Sequence, residues 1–267
     1  MIDWDDAFDN SGYVPESADL IESFAAQAAA YRRQLGARAD LDVAYGDDPR
    51  ERMDIFHPEG LAKGVVIFVH GGYWLRLDKS YWSHLAHGAL SHGWAVVMPS
   101  YPLAPQARIS RITASVAAAV QHVARHFDGP LRLAGHSAGG HLVSRMMCTG
   151  VLPADVTDRF ERVLSLSGVH HLSPLLNTQM NDELRLDETE AISESPITHD
   201  PVSGVPVTFW VGTEERPEFL RQTRIAAENW ALKGADVTSV YENGTNHFTL
   251  IKSLADPDGP TTQEVLR

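Results

Sequence analysis

The chain has 267 residues, of which 43% are hydrophobic and 21% are charged, an ordinary composition for a globular protein. Its formal net charge is −13 at pH 7. Nucleic acids and anionic membranes both bind basic surfaces, so this charge argues against either class of partner.

Cysteine usage and the first residues of the chain predict a cytoplasmic protein. Cys148 is the single cysteine, so no internal disulfide can form, and its place on the apolar side of a predicted helix favours a buried thiol. The start, Met1 to Asp6, is acidic and lacks the basic and apolar regions of a signal peptide. No apolar run approaches the ~20 residues of a membrane span.

The first part of the chain predicts a helix followed by a hairpin. Apolar side chains recur at helical spacing over residues 17–35, and Gly36 ends the pattern. Residues 1–38 form either a plain N-terminal extension or a cap over a site, and the pattern favours neither. Two short strands, residues 39–45 and 52–56, flank a turn-forming Gly-Asp-Asp-Pro and predict an antiparallel pair.

From residue 64 onward, apolar strand patterns alternate with helical patterns. Strands are predicted at residues 64–70, 95–99, 131–135, 162–167, 205–211 and 237–241, and helices at residues 80–92, 109–127, 138–148, 217–233 and 249–254. Continuous apolar strands are typical of a parallel sheet that is buried on both faces. We therefore predict an α/β fold in one domain over residues 1–267: a mostly parallel central sheet with an antiparallel N-terminal hairpin and helices on both faces.

Two stretches depart from this alternation. Residues 170–200 are long, polar and partly helical, and an insertion of this kind after a parallel strand often roofs a site. We expect residues 170–200 to form a lid, or small cap, over the site. Residues 1–38 are the other candidate for such a cap. The tail from Asp256 onward is rich in Pro, Gly and Asp and is expected to be frayed.

The most informative motif is Gly135-x-Ser137-x-Gly139, which lies between a predicted strand and a predicted helix. This is the nucleophile-elbow pattern, in which a sharp turn exposes a serine hydroxyl and small neighbours avoid a collision. The turn also directs the amide of Ala138 and the positive end of the helix to the same point. Ser137 is therefore the candidate nucleophile.

A serine nucleophile needs a base, and the base needs an acid that orients it. In this fold class the order along the chain is serine, acid, histidine. His247 follows the last predicted strand and is the candidate base. The loop after residues 205–211 contains Glu214 and Glu215; we predict Glu215 as the acid, with Glu214 as the alternative.

The segment His70-Gly71-Gly72-Tyr73-Trp74 follows the first long parallel strand. Its glycines would let the backbone turn close beneath a substrate carbonyl, so the amides of Gly72 and Tyr73, with that of Ala138, are the predicted oxyanion donors. Tyr73, Trp74 and Phe248 are predicted to contact a flat apolar part of the substrate. Packing in the core explains these aromatic residues equally well.

Metal and cofactor sites have little support in the sequence. The pairs His84/His87 and His122/His126 have helical spacing but no third ligand, so we interpret them as exposed helix histidines. A Gly-rich phosphate loop with lysine does not occur. No metal and no cofactor is predicted.

Together these motifs resemble the α/β-hydrolase superfamily and, more narrowly, the arylformamidase (kynurenine formamidase) family, which is related to the hormone-sensitive-lipase-like esterases. The matching motifs run in order from residue 70 to residue 251. They are His70-Gly71-Gly72-Tyr73-Trp74, Gly135 to Leu142, Leu166-Ser167-Gly168-Val169, Ser195-Pro196, Pro217-Glu218-Phe219-x-x-Gln222 and Asn246-His247-Phe248.

The resemblance implies Ser137 as nucleophile, His247 as base and Glu215 at the acid position, where the family has aspartate. It also implies the substrate, N-formyl-L-kynurenine, which the family hydrolyses to kynurenine and formate. We therefore predict a serine hydrolase that acts on a small molecule, as a monomer or homodimer. A carboxylesterase acting on small aryl esters or thioesters is the first alternative, and a non-catalytic binding protein of the same fold is the second.

Overall fold

The computed structural model describes residues 2–267, and its centre is a sheet of eight strands. The strands are β1 (Ala39–Ala44), β2 (Arg52–Phe56), β3 (Val65–Val69), β4 (Ala95–Pro99), β5 (Leu131–His136), β6 (Phe160–Leu166), β7 (Val207–Gly212) and β8 (Val237–Glu242). Their order across the sheet is β1-β2-β4-β3-β5-β6-β7-β8.

Strand direction agrees with the sequence pattern. The β1–β2 and β2–β4 pairs are antiparallel, and every pair from β4 to β8 is parallel. All residues of β3, β4, β5 and β7 are buried, as their continuous apolar runs predict. The predicted fold class, a mostly parallel sheet with an antiparallel N-terminal pair, is confirmed.

Eleven helices are described. They are α1 (Trp4–Phe8), α2 (Asn10–Tyr13), α3 (Ser17–Leu35), α4 (Ala86–Ser91), α5 (Ile109–His126), α6 (Ala138–Met146), α7 (Ala154–Thr157), α8 (Asn181–Leu184), α9 (Glu188–Ser193), α10 (Pro217–Leu232) and α11 (Pro260–Leu266). None of these helices is both long and apolar enough to cross a membrane.

The helices cover both faces of the sheet, and alternate residues of β3 show the two sides. Val65, Ile67 and Val69 join a core cluster that includes buried residues of α5, α6 and α10. Val66 and Phe68 join a second cluster with residues of α3, α4 and α11. Because parallel strands end at the same edge, the residues that follow β3, β5, β6, β7 and β8 meet there.

Three predicted features differ from the structure. The tail is not frayed: α11 packs on the sheet, with Val265 only 1% exposed and its carbonyl accepting a bond from Arg132. The helix predicted at residues 80–92 is broken into two 3₁₀ turns, Lys79–Tyr81 and Ser83–Leu85, followed by α4. His84 is consequently buried against Phe24 instead of exposed, because the turns direct it toward α3.

Candidate active site

Ser137 lies at the sharp turn between β5 and α6. Its φ of 58° and ψ of −119° are strained values for a residue with a side chain. The turn is held by a 2.8 Å bond from the Ser137 amide to the carbonyl of Leu166. A Cβ at Gly139 would collide with the carbonyl of Val69, so glycine allows α6 to begin directly against β3.

The loops after β7 and β8 bring an acid and a histidine together. Nδ1 of His247 lies 2.7 Å from Oε2 of Glu215, and both side chains are buried. A carboxylate can only accept, so Nδ1 carries the hydrogen and Nε2 is left as the acceptor. The structure places Glu215 against His247, whereas Glu214 is exposed and contributes only its amide, which donates to the Thr245 carbonyl at 3.0 Å.

The same cleft is lined by Ser137, His247, Gly72, Tyr73 and Phe248. Further lining residues are Ser11, Ile21, Gly71, Arg76, Leu77, Trp82 and His136. The cavity volume is about 20 Å³, which is room for about one water molecule. Only a small group fits beside Ser137 in this conformation.

Three backbone amides at the cleft are available as hydrogen-bond donors. Gly72, Tyr73 and Ala138 donate to no acceptor among residues 2–267. Gly72 and Tyr73 both have positive φ, 122° and 59°, and a Cβ on Gly71 would lie 2.9 Å from the Cβ of Ser137. The loop therefore runs directly beside the serine, where free N–H groups could stabilise an oxyanion.

The predicted aromatic contacts divide into two groups. Tyr73 and Phe248 line the cleft. Trp74 does not, and its prediction is corrected: it is 2% exposed, and its Nε1 donates to Nδ1 of His141 at 3.2 Å. Tyr73 and Trp74 have nearly the same φ, 59° and 60°, yet the Trp74 side chain packs in the core beside His141 while that of Tyr73 lines the cleft.

Residues 4–35, which we call the N-terminal segment, form one wall of the cleft through Ser11 and Ile21. Oγ of Ser11 accepts a 2.8 Å bond from Arg76 and lies 3.4 Å from the Tyr73 hydroxyl. Arg216, which follows the acid in the chain, forms an ion pair with Asp6 and lies over the ring of Tyr13. The segment is therefore attached both to the loop after β3, through Tyr73 and Arg76, and to the loop after β7, through Arg216.

Aromatic rings connect the N-terminal segment with the base. Phe8 packs edge-on against Phe219 at 6.1 Å, and the Phe219 ring lies 4.9 Å from that of His247.

The insertion at residues 170–200 contributes no lining residue to the cleft. It is tied to α5, where Glu190 pairs with Arg108, and it meets the N-terminal segment where the Gln179 amide donates to Asp5 at 2.6 Å.

His136, which precedes the serine, holds the backbone of the base. Its Nε2 lies 2.8 Å from the carbonyl oxygen of His247 and therefore carries the hydrogen that is donated. Burial, followed by the neighbouring His247 ring, lowers the pKa of His136 well below its ordinary value. His136 is consequently neutral near pH 7 and places no positive charge beside the base.

Five residues at or near the cleft were not predicted from the sequence: Ser11, Ile21, Arg76, His136 and Ser167. Ser167 and His136 carried a signal, because each is a polar residue at the carboxyl end of a parallel strand. Ser11 and Ile21 had no such signal in the sequence. A local pattern does not show that helices near the start of the chain will pack beside residues that are distant in sequence. In residues 2–267, no three His, Cys, Asp or Glu side chains are grouped as a metal site would require.

Known proteins resemble this chain in sequence and in fold. The BD-FAE family model matches residues 53–219. The kynurenine formamidase of Danio rerio is 31% identical over 85% of this chain and 80% of its own. A solved structure from Silicibacter sp. TM1040, which carries a provisional assignment as a thioesterase, is 45% identical over the whole of both chains, with a TM-score of 0.94.

More distant structures share the fold alone. An esterase of Pyrobaculum calidifontis superimposes with a TM-score of 0.70 at 18% identity, over 93% of this chain and 91% of its own. The named relatives are hydrolases, and this chain is a hydrolase as well. It belongs to the BD-FAE family, within the arylformamidases and esterases of the α/β-hydrolase superfamily.

Proposed function

We propose that the protein is a serine hydrolase that removes a small acyl group from an aryl amine, with N-formyl-L-kynurenine as the substrate. The observation that carries the proposal is the single cleft that Ser137, His247, Gly72 and Tyr73 line together. Glu215 is bonded to His247 behind this cleft, and the free amide of Ala138 directly follows Ser137. A serine, an oriented base and unpaired N–H donors are what acyl transfer requires.

The proposed reaction has two stages. Oγ of Ser137 attacks the formyl carbon while Nε2 of His247 takes the hydroxyl proton, and the amides of Gly72, Tyr73 and Ala138 hold the oxyanion. The C–N bond then breaks, and His247 returns the proton to the departing aryl amine. Water, deprotonated by His247, attacks the formyl-serine ester, and formate leaves as Ser137 recovers its proton. Glu215 keeps His247 in the correct tautomer throughout.

The size of the cleft supports a small acyl group. A cavity of about 20 Å³ has room for about one water-sized group, so a formyl group requires less movement of the walls than an alkyl chain does. The rings of Tyr73 and Phe248 at the same cleft suit a flat leaving group. One favourable ring pair adds about 1 kcal/mol beyond the area that it buries.

A second, larger pocket supports a charged leaving group. It has a volume of about 510 Å³, shares Tyr73 and Arg76 with the cleft, and is also lined by Asp5, Asp9 and Glu183. Kynurenine carries an ammonium and a carboxylate, which these acidic side chains and Arg76 could pair with. A long-chain ester offers neither charge.

The first test is the substrate. We expect kcat/KM for N-formyl-L-kynurenine to exceed that for phenyl acetate, for a short acyl thioester and for a long-chain ester. The thioester arm is included because the 45% identical structure carries a thioesterase assignment. Preference for the thioester would replace the formamidase proposal, and preference for the long-chain ester would contradict a small acyl pocket.

The second test is the mechanism. A fluorophosphonate probe should label the protein at Ser137 and abolish turnover in proportion to the labelled fraction. If the probe does not label the protein while turnover persists, a serine acyl-enzyme is excluded. That result would not decide which substrate the protein hydrolyses. Absence of turnover on every substrate, together with absence of labelling, would favour the non-catalytic binding protein.

A further inference from the structure

Ser167 is a buried serine between the nucleophile strand and the acid strand. It directly follows β6, which lies between β5 and β7 in the sheet. Its amide donates to the carbonyl of Trp210 at 2.7 Å, and the adjacent Leu166 carbonyl accepts the amide of Ser137. Ser167 has a φ of 50° and is fully buried, so the backbone holds its side chain in one place at an energetic cost.

The hydroxyl of Ser167 is bonded to the acid of the proposed triad. Its Oγ lies 2.5 Å from Oε1 of Glu215, and the amide of Gly212 donates to the same oxygen at 3.0 Å. Because a carboxylate only accepts, Ser167 is the donor. Oε1 thus receives two hydrogen bonds from the protein, while Oε2 is left to face His247.

Glutamate has one rotatable bond more than the aspartate expected at this position. Without restraint, its carboxylate could turn either oxygen, or neither, toward the histidine. Two donors on Oε1 select a single orientation, and donors to a carboxylate also favour its charged form over the neutral one. The charged form is the one that accepts from Nδ1 of His247.

We propose that Ser167 is a positioning residue for the hydrolytic reaction: its hydroxyl holds the Glu215 carboxylate in the orientation that aligns His247. Ser167 lines no part of the cleft and acts only through Glu215. The inference rests on the proposed serine mechanism, and it extends the acid–base pair to a chain of three side chains.

The test begins with Ser167→Ala, which removes the hydroxyl but keeps the Cβ and the same backbone. Loss of one hydrogen bond to a charged group should lower kcat about 10- to 100-fold. KM should stay within about twofold, because the substrate does not touch Ser167. A fall in kcat of less than about threefold would overturn the proposal.

Ser165→Ala is the matched control. Ser165 lies in β6 just before Ser167, is 1% exposed, and donates to the carbonyl of Gly140 at 2.9 Å, away from Glu215. We expect a comparable loss of thermal stability but a kcat within about threefold of the parent. If Ser165→Ala lowered kcat as much as Ser167→Ala, the effect would be structural and the proposal would fail.

The decisive measurement is the coupling with Glu215. In a Glu215→Gln background, adding Ser167→Ala should change kcat by less than about threefold, since the hydroxyl then has no charged acid to hold. Independent, multiplying losses would contradict the inference. Failure of the proposed function looks different: Ser137→Ala would then leave turnover intact, whatever the Ser167 variants do.

Discussion

The acid–base side of the cleft and the wall formed by the N-terminal segment are built in different ways. Glu215, His247 and Ser167 are buried and are joined by bonds of 2.5 to 2.7 Å at the ends of strands. Ser11, in the wall, accepts an exposed bond of 2.8 Å from Arg76, which lies in the loop after β3. Arg216 and Asp6 form an ion pair whose carboxylate is 61% exposed.

This difference suggests that the buried side determines the rate of the chemical step and that the wall determines substrate binding. Buried, charge-assisted hydrogen bonds fix the geometry of the reacting groups, and losing one leaves a charge without its partner. Exposed contacts contribute little stability, about 0–1 kcal/mol each, and can break and re-form. We therefore expect changes on the buried side to lower kcat and changes in the wall to alter KM.

The largest effect should come from the nucleophile. Ser137→Ala is expected to lower kcat about a millionfold, because members of a triad act as a unit. Ser144→Ala is the control: Ser144 is a buried serine in α6, the helix that begins directly after Ser137, and its Oγ donates to the carbonyl of Gly140. Activity of the Ser137 variant within tenfold of the parent would mean that another residue attacks.

The second effect distinguishes the two glutamates. Glu215→Gln should lower kcat about 10⁴-fold, because an amide can present an N–H to Nδ1 and so favour the wrong tautomer of His247. Glu214→Gln should stay within about threefold, since that side chain is exposed and bonds neither His247 nor Ser167. Steady-state kinetics on both variants would decide, and a larger loss in the Glu214 variant would identify it as the acid.

A smaller effect is expected in the wall. Ser11→Ala removes the contacts to Arg76 and Tyr73 and should raise KM about threefold, with kcat within about twofold. Ser23→Ala is the control, because Ser23 is exposed on α3 and bonds only Gln27 of the same helix. A drop in kcat with KM unchanged would show that the wall contributes to the chemical step.

The last expected effect is on the free energy of unfolding and not on the kinetics. Burial lowers the pKa of His84, which packs on Phe24 of the N-terminal segment, from 6.5 to about 4. Above pH 6.5 the ring is neutral in both the folded and the unfolded chain. Below it, the unfolded chain binds the extra proton, so the free energy of unfolding falls as pH drops from 6.5 toward 4, by at most about 1.4 kcal/mol per pH unit for this ring.

Urea titrations at about pH 7.5 and about pH 5 would measure that fall. His84→Phe should reduce the difference between the two values by at most about 2 kcal/mol. An unchanged difference would assign the pH dependence to other buried histidines. His70, whose pKa burial lowers to about 4, and His141, lowered by burial to about 3, titrate in the same direction.

The residues of the buried side could be predicted from the sequence because the order of the strands determines where the residues that follow them lie. An elbow motif, a glutamate after β7 and a histidine after β8 must all reach the carboxyl edge of a parallel sheet. Glu215 rather than Glu214 follows from the turn after Gly212, whose amide bonds the acid. The pairing of Ser167 with that acid needed the actual side-chain positions, since a strand-end serine can face several neighbours.

The wall could not be predicted, because tertiary packing decides it. The helical pattern of α3 places its apolar face but not the part of the sheet that it will cover. Trp74 could not be placed from the sequence for the same reason. Aromatic residues that line a cleft and aromatic residues in a core have the same sequence pattern. A buried contact with His141, formed between residues far apart in the chain, places Trp74 in the core.

The ring contacts from Phe8 through Phe219 to His247 have a consequence for folding. Phe8 stands near the start of the chain and its partner Phe219 lies in α10, beyond the strand β7, so this contact closes a loop of most of the chain. Such closure is entropically costly and follows more local contacts. In refolding, we expect enzymatic activity to recover after far-UV circular dichroism has reached its native value; simultaneous recovery would show that the N-terminal segment docks together with the sheet.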